Sequence, residues 1–197
     1  MSKAEQTKAR IIEQSATLFN QKGYAAVAIS DIMRVTGLKK GGIYNHFASK
    51  DELALAAFDY AVNLVTQRIW NAVKKEQNAV LRLKALVAVH LKYRDNPPLP
   101  GGCPIMNTAI EWDDTNSLLR DKTQQAMDSW RNLIIRIVEK GIKKGEIKPN
   151  IESDAVATVV ISTIEGGIMM SKLYQDSIHL ERVVTSLHSY IDNLALS

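Results

Sequence analysis

Ser30-Asp31-Ile32-Met33-Arg34-Val35-Thr36-Gly37-Leu38-Lys39-Lys40-Gly41-Gly42-Ile43-Tyr44-Asn45-His46-Phe47 is the stretch on which the fold turns. Its apolar residues recur every three or four positions, the period of a helix. Ile32 and Val35 share one inward face, and Ile43 and Phe47, one turn apart, share another. Gly37 supplies a sharp turn between them, because glycine takes the left-handed backbone without steric cost. Ser30 is placed to cap the first helix of the pair. The spacing predicts a second helix, a four-residue turn containing Gly37, and a third helix from Lys39 to Phe47. That is the layout of a helix-turn-helix, whose second member enters the major groove of duplex DNA.

With Ile43 and Phe47 turned inward, Gly41, Gly42 and Asn45 point outward and Tyr44 and His46 flank them. Lys39 and Lys40 stand at the helix start, within reach of phosphate. The Asn45 amide can pair bidentately with adenine, while Tyr44, His46 and the lysines suit backbone contacts. A solvated polar face is the plain alternative. Two adjacent glycines cost a helix about 1 kcal/mol each relative to alanine, so they call for a reason. Close approach to DNA is the favoured one, and a helix frayed until DNA orders it is the other.

Outward from this stretch, helical periodicity continues and no run alternates as a half-buried strand would, so the chain reads as all-α. Ile12, Ser15, Ala16 and Phe19 stripe a first helix that Gly23 ends. Ser49 and Glu52 make a capping-box pattern ahead of Leu53, Ala56, Ala57, Tyr60 and Leu64. A helix over 79–93 runs into the breakers Asp95-Asn96-Pro97-Pro98 and Pro100-Gly101-Gly102. After Cys103-Pro104 come a short helix to about Ile110, a loop over 112–116, a long helix from about Ser117 to Lys140, and a closing segment over 141–149. Glu152 or Ser153 can cap an apolar helix through Tyr174, and a last helix over 178–196 carries Val183, Leu187, Ile191 and Leu194. The expected organisation is an N-terminal three-helix helix-turn-helix domain over 1–50 and a helical body over 51–197.

Charge divides the same way. Residues 1–50 hold eight basic and three acidic side chains, a balance of +5, whereas 51–197 balance at −1. A small basic module on a near-neutral body suits a polyanion, since each lysine or arginine set on a phosphate releases condensed counterions. A membrane surface, RNA, or no partner at all remain open on charge alone; the Gly37 turn and the outward polar face favour duplex DNA. The 16 residues from Ala155 to Met170 fall short of a membrane span of about 20. No charged-then-apolar leader opens the chain, and the single cysteine makes no internal disulfide, so a cytoplasmic protein without a membrane partner is expected.

Ile32, Val35, Gly37 and Leu38, the run from Lys39 to Phe47, and Ser49-Lys50-Asp51-Glu52-Leu53 together resemble the signature of the TetR/AcrR family of transcriptional regulators. The resemblance covers roughly residues 8–56. It implies phosphate or base contacts at Ser30, Lys39, Lys40, Gly42, Tyr44, Asn45, His46 and Lys50, a homodimer, and an effector pocket in the body. Lys39 and Gly42 stand where many relatives carry small hydroxyl residues.

In the body, a helix carrying Val156, Val159, Val160, Ile164, Ile168 and Met169 is apolar nearly all round and needs cover on both sides. With the last helix it is expected to build a two-fold four-helix interface through Val160, Ile164, Gly167, Ile168, Leu187 and Ile191, Gly166 and Gly167 allowing close approach; an internal core helix is the alternative. A two-fold axis matches a palindromic operator. His90, Tyr93, Met106, Trp112, Met127, Trp130 and Met170 are the large, adaptable side chains of an expected effector pocket, though such residues at helical spacing are more often plain core. Glu111, Asp113 and Asp114 read as an acidic loop rather than a cation site, and neither metal nor cofactor is expected. Cys103 reads as packing rather than a sensor thiol. No phosphate loop, nucleophile elbow or paired ligand histidines is present, so no catalytic residue is assigned and no enzyme is expected. The expected function is a sequence-specific repressor released from its operator by a small molecule.

Overall fold

The computed structural model describes residues 2–93, 95–111 and 117–196, and these are helical with no strand among them. The order is α1 (Lys3–Lys22), α2 (Ile29–Thr36), α3 (Lys40–Tyr44), α4 (Lys50–Val73), α5 (Ala79–Ala88) with a single 3-10 turn over Val89–Lys92, α6 (Pro104–Glu111), α7 (Ser117–Lys143), α8 (Ser153–Tyr174) and α9 (Ile178–Asp192). The all-α expectation holds. The expected loop over 112–116 lies outside the described residues.

Two compact units partition the chain: Met1–Val65 with Leu99–Gln124, and Thr66–Pro98 with Gln125–Ser197. The expected cut at 50/51 does not coincide with either, because α6 and the start of α7 fold together with the N-terminal helices.

In the first unit, Ile11, Leu18, Val27, Ile32, Ile43, Phe47 and Leu53 form one buried cluster. The α1 stripe is rotated slightly from expectation: Ile11 and Leu18 are buried, and Ile12 and Phe19 pack at the edge. α1 opens on a capping box, with Ser2 Oγ accepting the Glu5 N–H and Glu5 accepting the Ser2 N–H. α2 starts two residues earlier than expected. Its N-cap is Ala28, and Asp31 accepts the Ala28 N–H at 3.1 Å, so Ser30 lies exposed in the first turn and caps nothing. That backbone N–H, together with Arg34, holds the Asp31 carboxyl below the usual carboxylate range. Gly37 adopts the left-handed conformation (φ 68°) and donates its N–H to Met33 O. The turn is three residues, Gly37 to Lys39, rather than four. Ser49 Oγ accepts the Glu52 N–H at 3.1 Å as expected, but Glu52 reaches back to the Ala48 N–H rather than to that of Ser49.

In the second unit, α9 packs against α5 and α8. Leu83, Leu86, Ile134, Val138, Val160, Ile164, Leu180, Leu187 and Ile191 are buried there. Gly141 continues α7 rather than ending it, and a Cβ on it would lie 2.6 Å from that of Ala79. Glu152 caps α8 by accepting the Ala155 N–H at 3.0 Å. At 22 residues and mean hydropathy 1.4, α8 is long and apolar enough to cross a membrane, which revises the expectation that this stretch is too short. Within the chain one face of it is occupied by α9.

Candidate nucleic-acid interface

α3 is shorter than expected: the helix ends at Tyr44, and Asn45 and His46 continue as turn while Phe47 closes the core. The inward and outward assignments hold. Ile43 and Phe47 are 1% and 2% exposed, whereas Gly41, Tyr44 and Asn45 are exposed and Gly42 and His46 half-buried. Lys39 and Lys40 are exposed, and the Lys40 ammonium stands 5.8 Å from the Tyr44 ring, four residues along the same face. The result is one solvent-facing strip carrying two cations, a phenol, an amide and an imidazole. Lys8, 5.1 Å over the Phe47 ring from α1, adds a further exposed cation beside it. Nothing local to residue 8 signals that placement, because it depends on how α1 crosses the α3 end.

Among the described residues nothing calls for glycine at either position of α3. A Cβ on Gly41 would meet nothing within 4 Å, and one on Gly42 would make ordinary contact with Leu38, 3.6 Å away.

Lys50 behaves differently from the other expected contacts. Its ammonium donates to Tyr24 O at 2.7 Å and stands 4.1 Å over the Tyr24 ring, and burial lowers its pKa. It is half-buried and engaged inside the first unit, an internal bond that the sequence did not announce. Tyr24 in turn donates its hydroxyl to Asp51, and burial followed by that carboxylate pushes the phenol pKa up.

The expected effector residues separate. His90, Tyr93 and Trp130 come together in the second unit, with ring centroids 5.2 Å (His90–Tyr93) and 6.0 Å (His90–Trp130) apart. Met127 is half-buried one turn from Trp130 on α7. Met170 is exposed on α8, Met106 belongs to the first unit, and Trp112 lies outside the described residues, so these three are not part of the cluster the structure describes. His90 Nδ1 donates to the carbonyls of Leu86 (3.1 Å) and Val87 (3.3 Å), which fixes the proton on that nitrogen. Burial pushes its pKa down to about 4 against those two bonds.

A stability consequence follows from that burial. The unfolded imidazole, near 6.5, takes up a proton that the folded one refuses until about pH 4, so the contribution is complete above 6.5 and falls as pH drops through that window. A loss of about 3 kcal/mol between pH 6.5 and 4 is expected, since each tenfold difference in proton affinity is worth about 1.4 kcal/mol. Denaturant titrations across this range should show it, and His90→Phe should flatten the slope. A slope unaltered by His90→Phe would put the linked proton elsewhere.

The six side chains expected at a dimer interface require correction. Val160, Ile164, Gly167, Ile168, Leu187 and Ile191 are all buried within this one chain. Gly167 allows α9 to approach α8: its Cβ would lie 3.0 Å from Leu180 Cδ1 and Val183 Cγ2. The other face of α8 is the exposed one. Val159, Met169, Met170 and Leu173 are 39%, 52%, 38% and 71% exposed, and a Cβ on Gly166 would meet nothing within 4 Å. Cys103 is buried, in keeping with packing.

Comparison with known proteins extends over both parts of the chain. Residues 11–57 match the model of bacterial regulatory proteins of the tetR family, and residues 79–187, more than half of the chain, match that of the tetracyclin repressor-like C-terminal domain. A TetR transcriptional regulator from Chloroflexus aurantiacus J-10-FL superposes with a TM-score of 0.97 at 45% identity, covering 100% of both chains. A TetR-family regulator from Cytophaga hutchinsonii superposes at 0.90 with 33% identity, covering 100% of this chain and 98% of its own. The HTH-type transcriptional regulator YxaF of Bacillus subtilis (strain 168) is 26% identical over 178 residues, 89% of this chain and 90% of that protein. A helix-turn-helix with an outward polar strip, followed by a helical body that matches the same family along its length, makes this chain a member of the TetR family of DNA-binding transcriptional regulators.

Proposed function

We propose that this regulator is a cytoplasmic repressor that binds a palindromic operator as a homodimer and leaves it when a small molecule occupies the second unit. The observation that carries the DNA reading is the bare outer face of α3. Gly41 and Gly42 fill no internal gap, and lysine, phenol and amide groups surround them. A backbone without side chains at that point can approach a groove edge closely. Asn45 reads a base, most readily adenine; Lys39, Lys40, Tyr44, His46 and Ser30 hold phosphates, with Gly42 as a backbone contact. Lys8 joins the phosphate set, and Lys50 contributes only if it leaves Tyr24 O.

Selection of bound duplexes from a random pool tests this reading. A two-fold symmetric sequence should emerge, with affinity that falls steeply as salt rises. Retention on anionic vesicles without preference for any duplex would sink it. Gly41→Ala separates close approach from fraying: alanine should stabilise the exposed helix by up to about 1 kcal/mol while operator affinity falls severalfold. Unchanged or improved binding would reject the close-approach reading.

For the effector, the His90–Tyr93–Trp130 cluster supports a partly aromatic molecule. The Trp130 indole N–H is buried without a hydrogen-bond partner among the described residues, which favours a ligand that brings an acceptor, and neutral His90 carries its lone pair on Nε2. A tenfold drop in operator affinity requires about 1.4 kcal/mol of coupling, and DNA must then weaken effector binding by the same factor.

For the dimer, the stripe Val159, Gly166, Met169 and Leu173 is the reading that replaces the six buried residues. Its three side chains are apolar, exposed and at helical spacing, with half-buried Gly166 near the middle, where a second copy of α8 can cross closely.

A further inference from the structure

The first unit contains a grip on the reading head made by side chains that no function has yet claimed. Glu111, the last residue of α6, accepts two backbone N–H groups of the turn between α1 and α2: Tyr24 at 2.9 Å and Ala25 at 2.7 Å, one on each carboxylate oxygen. Gly23 makes room for it, at φ 82° and with a Cβ position only 2.8 Å from Glu111 Oε2. One turn earlier on α1, Asn20 donates to Pro100 O (2.9 Å) and Gly102 O (3.1 Å). Asn107 of α6 donates back to Asn20 O (3.1 Å) and Oδ1 (3.0 Å) and to Gly101 O (3.0 Å). Gly101 also needs to be glycine: its φ is 113°, and a Cβ would lie 2.5 Å from Asn20 O.

Both clasps close on the last turn of α1 and the residues that lead into α2. Apolar packing does not do this work alone, because a small cleft of about 40 Å³ remains there, walled by Ala16, Phe19, Ala54 and Ala57 and edged by Asn107 and Glu111. A carboxylate accepting two backbone N–H groups makes charge-assisted bonds, about twice as strong as neutral ones. Backbone partners also make the grip indifferent to which side chains occupy 24 and 25.

Resting on the operator-binding reading above, we propose that Glu111 and Asn107 are positioning residues for operator recognition: from α6 they fix the α1–α2 turn, and so the presentation of α2 and α3 to DNA. Neither touches DNA. Their loss leaves the turn to be ordered at each specific binding event, which costs specific affinity and leaves loose electrostatic association unaltered.

The test uses the full chain, a duplex selected from a random pool by the unaltered protein, and poly(dI-dC) as non-specific duplex. Glutamine at 111 offers one acceptor oxygen and turns its NH₂ against the other backbone N–H. Glu111→Gln should therefore speed amide exchange at Tyr24 and Ala25, weaken binding to the selected duplex about tenfold, and leave poly(dI-dC) affinity and the salt slope within twofold. Asn107→Ala should weaken selected-duplex binding similarly and speed exchange at Tyr24 and Ala25 less than Glu111→Gln does, because the two Glu111 bonds remain. If the unaltered chain selects no duplex, the operator-binding reading fails rather than the grip. Faster exchange with specific affinity held within twofold overturns the proposal. So does loss of protection spreading to the Ile32 and Ile43 amides in both variants, since the clasps would then serve only to keep the unit folded.

Discussion

Phe47→Ala is expected to cost about 3–5 kcal/mol of stability and to abolish operator binding at 37 °C. Phe47 is 2% exposed and packs among Ile11, Ile32, Ile43 and Leu53, so it joins α1, α2, α3 and the start of α4 at one point. Truncation leaves a ring-sized cavity at that junction, and the Lys8 ammonium loses the ring it stands over. Against a typical domain stability of about 5–15 kcal/mol, such a loss leaves the head partly unfolded near body temperature. The defect should be local. Denaturant midpoints and amide exchange are the measurements: protection should fall at Ile11 and Ile32 in the first unit and persist at Leu187 and Ile191 in the second. Tyr44→Ala, at the exposed last position of α3, should leave stability within about 0.5 kcal/mol. A Phe47→Ala protein as stable as the parent would mean that the core of the head lies elsewhere.

The contrast between Phe47 and Tyr44 was legible beforehand because a helix wheel needs only the spacing of apolar residues, and Gly37 was legible because a left-handed turn has one favoured residue. What failed was information that spacing does not carry. Ser30 is a good cap by type, yet the structure starts α2 two residues earlier and lets Asp31 serve the end instead. A run of valines, isoleucines and methionines that is apolar on every side announces that α8 is covered, not by what. Gly166 and Gly167 are neighbours in sequence, but one faces open space and the other faces Leu180 and Val183 of the same chain. Only the place where α9 lands decides between them. The α6 grip was the least legible feature, since Asn20 and Asn107 are 87 positions apart and Glu111 gives its charge to backbone N–H groups. Side chains that hold backbone leave no complementary partner to notice in a sequence. The His90–Tyr93–Trp130 cluster falls between these cases: His90 and Tyr93 are one turn apart and easily paired, whereas Trp130 joins them only through the fold of the second unit.

Gly166→Glu is expected to convert a dimer into a folded monomer and to weaken operator binding by about a hundredfold or more. The position is chosen because a Cβ there meets nothing within 4 Å among the described residues of its own protomer, so the chain should keep its melting temperature. In a two-fold interface the same residue approaches its own copy, and two carboxylates near the axis would be desolvated together with like charge. The exposed stripe of Val159, Met169 and Leu173 would then lack its cover. Affinity falls because the second head no longer binds as a tethered partner: at the millimolar effective concentration typical of a short tether, the second contact contributes two or more decades. Sedimentation velocity should give the monomer mass, and titration of the selected duplex should give half-site affinity that one half-site alone reproduces. Ile164→Val makes the control. It trims a fully buried residue on the opposite face of α8, so it should lower stability by about 1 kcal/mol without changing the association state. If Gly166→Glu stays dimeric while a buried-face change dissociates the protein, the exposed stripe is not the interface, and the two heads are paired by some other surface.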